Sequence, residues 1–245
     1  MIIKFSIKAS IGYITLNRPA SLNALNSQLK FELNNVLDDI VLNDNIRVVI
    51  ITGEGRAFCA GSDIKELYQV ETSEAKKLMR ETKNLCRRIE EFPKTTIAAI
   101  NGYALGGGFA LVLASDLTVA SETAMLGFPE IKLGWNAPFG MAKFMRAVGI
   151  SKAKELFLTG RLIGAHEAQQ LGLVNQVVTS DDVMESAEKL ARQIVENPPT
   201  ALQMIKKILN HADKSLPDEE NEMQAFMTCF VTEEAQKALK AFVEK

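Results

Sequence analysis

The sequence predicts an α/β fold in which strands alternate with helices through crossover connections. Three apolar runs, RVVIITG (47–53), TTIAAI (95–100) and DLTVAS (116–121), alternate with segments of helical periodicity, the order of a sheet built by crossovers. The second observation is a change of pattern toward the C-terminus. From Ala137 onward the chain reads as successive helices, interrupted only by LVNQVV (173–178).

The elements follow in order. Met1–Lys8 and Ile11–Asn17 alternate apolar with polar residues, the period of half-buried strands, and Ser10-Ile11-Gly12 is the expected hairpin turn. After RPASLNALN, apolar residues at 25, 29, 33, 36, 37 and 40 mark one face of an amphipathic helix with Asn26 or Ser27 as its cap. The run 47–53 is a buried strand, residues 73–92 are helical by pattern, and 95–100 is a short strand. A helix is expected from near Gly107 to near Ser115, ahead of the strand at 116–121. Pro198 and Pro199 separate two C-terminal helices, the second of which can begin on proline. No repeat or long linker divides the chain, so the expected units are a core of residues 1–196 and a helical region of 197–245.

Composition removes several classes. With 245 residues, 47% hydrophobic and 24% charged, the chain has the make-up of a globular protein with a large core. A net charge of −2 gives no general pull toward nucleic acid or an acidic membrane surface. Three scattered cysteines, Cys59, Cys86 and Cys229, suit a reducing compartment, so a cytoplasmic location is expected. The N-terminus lacks the basic-then-apolar order of a signal peptide, and the longest apolar stretch, around Phe109–Ala114, is too short for a bilayer.

Two glycine-bearing turns carry the functional signal. The first, AAINGYALGGGFALVLASD (98–116), puts Gly106, Gly107 and Gly108 between a strand and a helix start, where unpartnered N–H groups attract negative oxygen. Bare backbone can approach a ligand closely. The third glycine of a dinucleotide fingerprint is missing, and no GK[ST] follows to make a phosphate loop. The second turn, GRAFCAGSDIKEL (55–67), again exposes backbone beside small residues after a strand. Two such turns can aim two N–H groups at one oxygen, the arrangement of an oxyanion hole.

RPASLNAL, GRAFCAGSDIKEL, AAINGYALGGGFAL, ASETAMLGFPEIKLG, LTGRLIGAHEAQQLGLVNQVV and the terminal AFVEK together resemble the crotonase, or enoyl-CoA hydratase/isomerase, superfamily, in the right order along the whole chain. The resemblance implies a ClpP/crotonase-like fold, a repeated ββα spiral with a helical C-terminal trimerisation region, and homotrimers often paired into hexamers. It implies an acyl-CoA thioester substrate and no cofactor beyond that CoA moiety. Carried over residue by residue, the oxyanion donors are the backbone N–H groups of Ser62 and Gly107. Backbone around Leu22, Asn23 and Ala24, together with Ala60, is expected to hold CoA, with Asp63 and Ile64 beside it. Phe242 and Lys245 are expected to reach a neighbouring subunit's CoA, and Ala20 stands where the family often has a lysine.

Hydratase-like members carry two glutamates, and this chain keeps one. The first position is Ala110; the second is Glu130. Hydration needs one group to orient water and another to handle the proton, whereas moving a double bond from carbon 3 to carbon 2 needs one carboxylate. PEIKLGWNAPFG (129–140) also resembles the LG-x-x-APF run of 3,2-enoyl-CoA isomerases, which place their lone acid at this position. Glu130 is therefore the expected acid/base, its proton affinity raised by Phe128, Trp135 and Phe139. Hydratase, decarboxylase or hydrolase activity with a recruited second group is the alternative. A non-catalytic acyl-CoA- or RNA-binding protein is the alternative from another class, suggested by the basic stripe Lys76, Arg80, Lys83 and Arg87, whose interleaved glutamates read as an ordinary solvated face. Asp63 is also read as a helix cap, Asp116 as structural and Cys59 as a small buried residue. His166 and His211 have no acid or nucleophile nearby in sequence, so neither a triad nor a metal site is expected.

Overall fold

The computed structural model describes residues 1–211 and 219–244. It opens with an antiparallel hairpin of β1 (Ile3–Lys8) and β2 (Ile11–Leu16), in which Lys8 pairs with Ile11. The turn is therefore Ala9-Ser10, and Gly12, expected in the turn, lies inside β2 opposite Ile7. Ala9 and Ser10 hold φ of 48° and 65°, the left-handed pair whose twist matches a two-residue hairpin. After a short loop comes α1 (Ser27–Leu42), capped by Asn26, whose Oδ1 accepts from the Leu29 amide at 2.9 Å. Leu29, Leu33, Leu37 and Ile40 bury its apolar face.

Three consecutive strand pairs then build the body. They are β3 (Val48–Gly53) with β4 (Ala57–Cys59), β5 (Thr95–Ile100) with β6 (Tyr103–Leu105), and β7 (Leu117–Ser121) with β8 (Met125–Gly127). Helices α2 (Ile64–Tyr68) and α3 (Thr72–Glu90) follow the first pair, and α4 (Gly107–Ala114) follows the second. After the third pair a 3-10 turn at Glu130–Leu133 takes the helix's place. The chain continues through α5 (Met141–Val148), α6 (Ile150–Thr159), β9 (Ile163–Gly164), α7 (Ala165–Gln170), β10 (Gln176–Val178) and α8 (Val183–Val195). It ends with α9 (Pro199–His211), α10 (Glu219–Phe230) and α11 (Glu233–Val243).

The first strand of each pair joins a six-stranded sheet of order β1-β2-β3-β5-β7-β10, parallel from β2 onward; the second joins a smaller sheet, β4-β6-β8-β9. This is the ββα spiral. Strands of two or three residues are too short to show a period in sequence, so the smaller sheet was invisible there. The large sheet is covered on both faces. Val48, Ile50, Ile97, Ala99 and Val119 pack against Val183, Ala187 and Ala191 of α8. Their neighbours in the strands, Val49, Ile51, Ala98 and Ile100, face the main core, as alternation along a strand requires. Helix α4 is buried except at Leu113, which is half-buried.

Asp116 ties the last helices to this body. Its Oδ2 accepts from the Thr96 amide at 2.7 Å and from Lys206 Nζ of α9 at 2.7 Å, and Lys206 also donates to the carbonyls of Ile89 and Lys94. Burial lowers the Lys206 pKa against the pull of that carboxylate.

Candidate active site

The two glycine turns meet. A side chain at Gly61 would put its Cβ 2.7 Å from the Leu105 carbonyl oxygen and 3.2 Å from the Gly107 nitrogen, so the turns lie backbone against backbone. The triplet is bare for separate reasons. Gly106 has φ 51° and ψ −122°, a conformation that resists a side chain, and a Cβ there would lie 2.7 Å from Glu130 Oε1. A Cβ on Gly108 would lie 2.1 Å from the Cys59 carbonyl oxygen. Gly107, between them, is the first residue of α4, so its amide has no acceptor within the helix.

A knot of polar contacts holds the other turn. Asn23, fully buried at φ 58°, donates to the carbonyls of Glu54 and Ala57 and accepts from the Arg18 amide. Main-chain bonds run from Ala60 to Leu22, from Leu25 to Gly61 and from Asp63 to Leu25. These use the Gly61 carbonyl and the Asp63 amide, and leave the Ser62 amide outside the ladder. Asp63 caps α2 through the amides of Lys65 and Glu66 and pairs with Arg18 at 3.0 Å.

These turns open into a cavity of about 320 Å³. Ser62, Gly106, Gly107 and Glu130 line it, together with Leu22, Ala60, Ile64, Leu67, Met79, Trp135 and Phe139. Phe226 from α10 and Phe242 from α11 complete the wall. Glu130 is the one ionisable side chain among these lining residues. Although its residue is only half-buried, its Oε2 is shielded from water and accepts no hydrogen bond. Burial in apolar surroundings raises its pKa to about 7, and a hydrogen bond from its own amide offsets only part of that.

Sequence reasoning placed most of this constellation, with differences. Ser62, Gly107 and Glu130 come together at the cavity, as do Leu22, Ala60 and Ile64. Asn23 and Asp63 stand behind it as supports. Ala24 is buried, its carbonyl accepting from Arg18 Nη1. Phe128 is not part of the wall around Glu130; it stacks with Phe109, Phe144 and Phe157 in a separate aromatic cluster. Phe242 lines the cavity of its own chain, because α11 folds back over α2 and the Glu130 turn. Lys245 lies outside the described residues. Ala110 is buried and not among the residues that line the cavity, its Cβ 3.4 Å from where a Cβ on Gly140 would stand.

The remaining candidates serve elsewhere. Cys59 is buried and its thiol pushed up to about 12, which keeps it protonated. His166 is exposed on α7. Among the described residues no group of histidine, cysteine and acidic side chains could hold a metal, and no helix is long and apolar enough to cross a membrane. Phe226 was missed from sequence, although Met223, Phe226 and Phe230 form a buried stripe at helical spacing.

Comparison with known proteins agrees with this architecture. The family model described as enoyl-CoA hydratase/isomerase matches residues 6–245. The chain is 38% identical to the short-chain-enoyl-CoA hydratase of Clostridium acetobutylicum, over 97% of this chain and 93% of that one. It is 39% identical to the 2,3-dehydroadipyl-CoA hydratase of Escherichia coli, over 95% and 91%. The crystal structure of an enoyl-CoA hydratase/isomerase from Mycobacterium paratuberculosis superposes with a TM-score of 0.89 at 31% identity, covering 98% of each chain. Spiral core, paired glycine turns and sequence match together show that this chain belongs to the enoyl-CoA hydratase/isomerase family.

Proposed function

We propose that this enzyme moves the double bond of a 3-enoyl-CoA thioester to carbon 2, with Glu130 as the sole acid/base. One observation carries the reading: among the described residues that line the cavity Glu130 is the one ionisable side chain, and its Oε2 is buried there without a partner. The thioester carbonyl accepts from the amides of Ser62 and Gly107. Glu130 as carboxylate takes the proton from carbon 2; the C–H electron pair forms a double bond from carbon 2 to carbon 1, and the carbonyl electrons move to oxygen as the dienolate. The two amides stabilise that oxyanion, each contributing about 3 kcal/mol at such a site. Glu130, now protonated, returns the proton to carbon 4 as the negative charge collapses, leaving the double bond between carbons 2 and 3. A group with a pKa of about 7 suits both halves of this transfer, since it is neither too weak a base nor too weak an acid near neutrality.

Hydration of a 2-enoyl-CoA is the second reading, favoured by the names of the relatives. It requires a partner to orient water, and the residue two places after the glycine triplet is Ala110. Turnover of 3-enoyl-CoA and 2-enoyl-CoA, with and without Glu130→Gln, separates the two. The expected result is isomerisation far faster than hydration, reduced about 10²- to 10⁴-fold by the substitution. Undiminished isomerisation by the variant removes Glu130 from the mechanism, and faster hydration than isomerisation by the native enzyme favours the second reading.

A further inference from the structure

We propose that Phe226, braced by Trp135 and Phe230, is the end stop of the acyl pocket and limits the enzyme to short, unfunctionalised acyl tails. The proposal rests on the acyl-CoA reading of the cavity and goes beyond it by assigning substrate length and polarity. Exposure along the lining distinguishes two ends. Leu22, Ala60, Ile64 and Leu133 are half-buried and Phe242 is 52% exposed, which marks the mouth. Leu67, Met79, Trp135, Pro138 and Phe139 are buried, and Phe226 is 1% exposed, which marks a closed end.

That end is stiff. The Trp135 ring meets Phe226 edge-on at 5.8 Å between centroids and Phe230 at 5.6 Å, and Phe226 and Phe230 lie 5.3 Å apart. Each ring is held by the other two, so none can swing aside without opening a void. Space sets the length. A cavity of about 320 Å³ holds about ten atoms of water size. Thioester and adjoining pantetheine take part of it, leaving room for a short tail only. Chemistry sets the polarity. Among the described residues the buried end offers no cation or amide side chain, and the one hydroxyl that reaches it, Ser62, is spent on Met79 Sδ at 3.8 Å, so a terminal carboxylate would enter unpaired.

The test uses binding as well as turnover, so that it stands apart from the reaction assigned above. Dissociation constants of saturated butyryl-, hexanoyl-, octanoyl- and decanoyl-CoA and of adipyl-CoA are measured on the native enzyme, Phe226→Ala and Phe226→Leu. In an open channel each added methylene tightens binding about four-fold. Here decanoyl-CoA is expected to bind at least ten-fold more weakly than hexanoyl-CoA, adipyl-CoA at least ten-fold more weakly than hexanoyl-CoA, and Phe226→Ala is expected to erase the first difference but not the second. Phe226→Leu, with a smaller volume change, gives a partial shift and serves if the alanine protein does not fold. Native binding that keeps tightening to decanoyl-CoA overturns the proposal, as does an unchanged length profile in whichever variant folds. A length limit without 3-enoyl-CoA turnover upholds the stop and rejects only the isomerase reading; turnover without a limit does the reverse.

Discussion

Replacing Glu130 by glutamine removes a group whose ionisation works against the fold. In the unfolded chain the carboxyl titrates near its ordinary value of 4.5; in the native protein burial raises it to about 7. Between those values the native state holds a proton that the unfolded state has released. Stability therefore falls as pH rises from 4.5 through 7 and levels off above, and the full difference amounts to about 3 kcal/mol. Glutamine carries no such titration. Urea denaturation at pH 4.5 and pH 8 should show Glu130→Gln similar to the native protein at the lower pH and more stable by about 3 kcal/mol at the higher. The native enzyme's kcat/KM should meanwhile rise about ten-fold per pH unit below 7 and flatten above, since the carboxylate is the form that removes the first proton. A stability difference that is the same at both pH values would refute the claim that this carboxyl is dry.

Two further substitutions test the surroundings. Gly106→Ala pushes a Cβ to within 2.7 Å of Glu130 Oε1 and places alanine at φ 51°; turnover should drop about 10²-fold from the displaced carboxyl, with about 1–3 kcal/mol lost in denaturation. Unchanged kcat with that stability loss would mean the carboxyl is not positioned by the bare backbone. Asp63→Ala removes the α2 cap and the partner of Arg18 and should cost about 2–4 kcal/mol, while Asp63→Asn, which keeps an acceptor for the cap, should lose about half as much. Equal losses in the two variants would show that the ion pair, and not the cap, carries the effect.

What could be read from sequence divides by the range of the interactions concerned. The runs at 48–53, 95–100 and 117–121 declare themselves because both faces of their sheet are covered, so apolar residues follow one another without a break. The hairpin turn falls earlier than the expected Ser10-Ile11-Gly12, because Ala9 and Ser10 adopt left-handed backbone under the pull of strand register. At the site, both glycine turns were legible because bare backbone shows in a few consecutive residues, whereas Glu130 was singled out by the resemblance of PEIKLGWNAPFG to the family's motif. Phe128, next but one to Glu130 in sequence, points into another cluster, because the chain bends at Pro129 (φ −84°, ψ 8°) and Glu130 opens a 3-10 turn, so the shared face of an extended i, i+2 pair is lost. Phe226 was illegible for the converse reason: about a hundred residues from Glu130 in the chain, it reaches the cavity only when α10 packs across α3.

The placement of Glu130 explains why the turn needs glycine where it does. The carboxyl lies against Gly106, and the amide assigned to the oxyanion belongs to the next residue, Gly107. The proton carrier, on the 3-10 turn at 130–133, thus packs against the residue that precedes the charge stabiliser, and a side chain at 106 would push the two apart. Such closeness demands that water stay out, because a solvated carboxylate would return to its ordinary pKa and lose its match to neutral pH. Trp135 and Phe226 line the same cavity as Glu130, so the apolar wall proposed to bound the acyl tail also belongs to the dry lining around the acid. Enlarging the pocket at Phe226 should then lower the Glu130 pKa as it admits water, a coupling visible as a pH–rate profile shifted toward acid in the same variant that accepts longer tails.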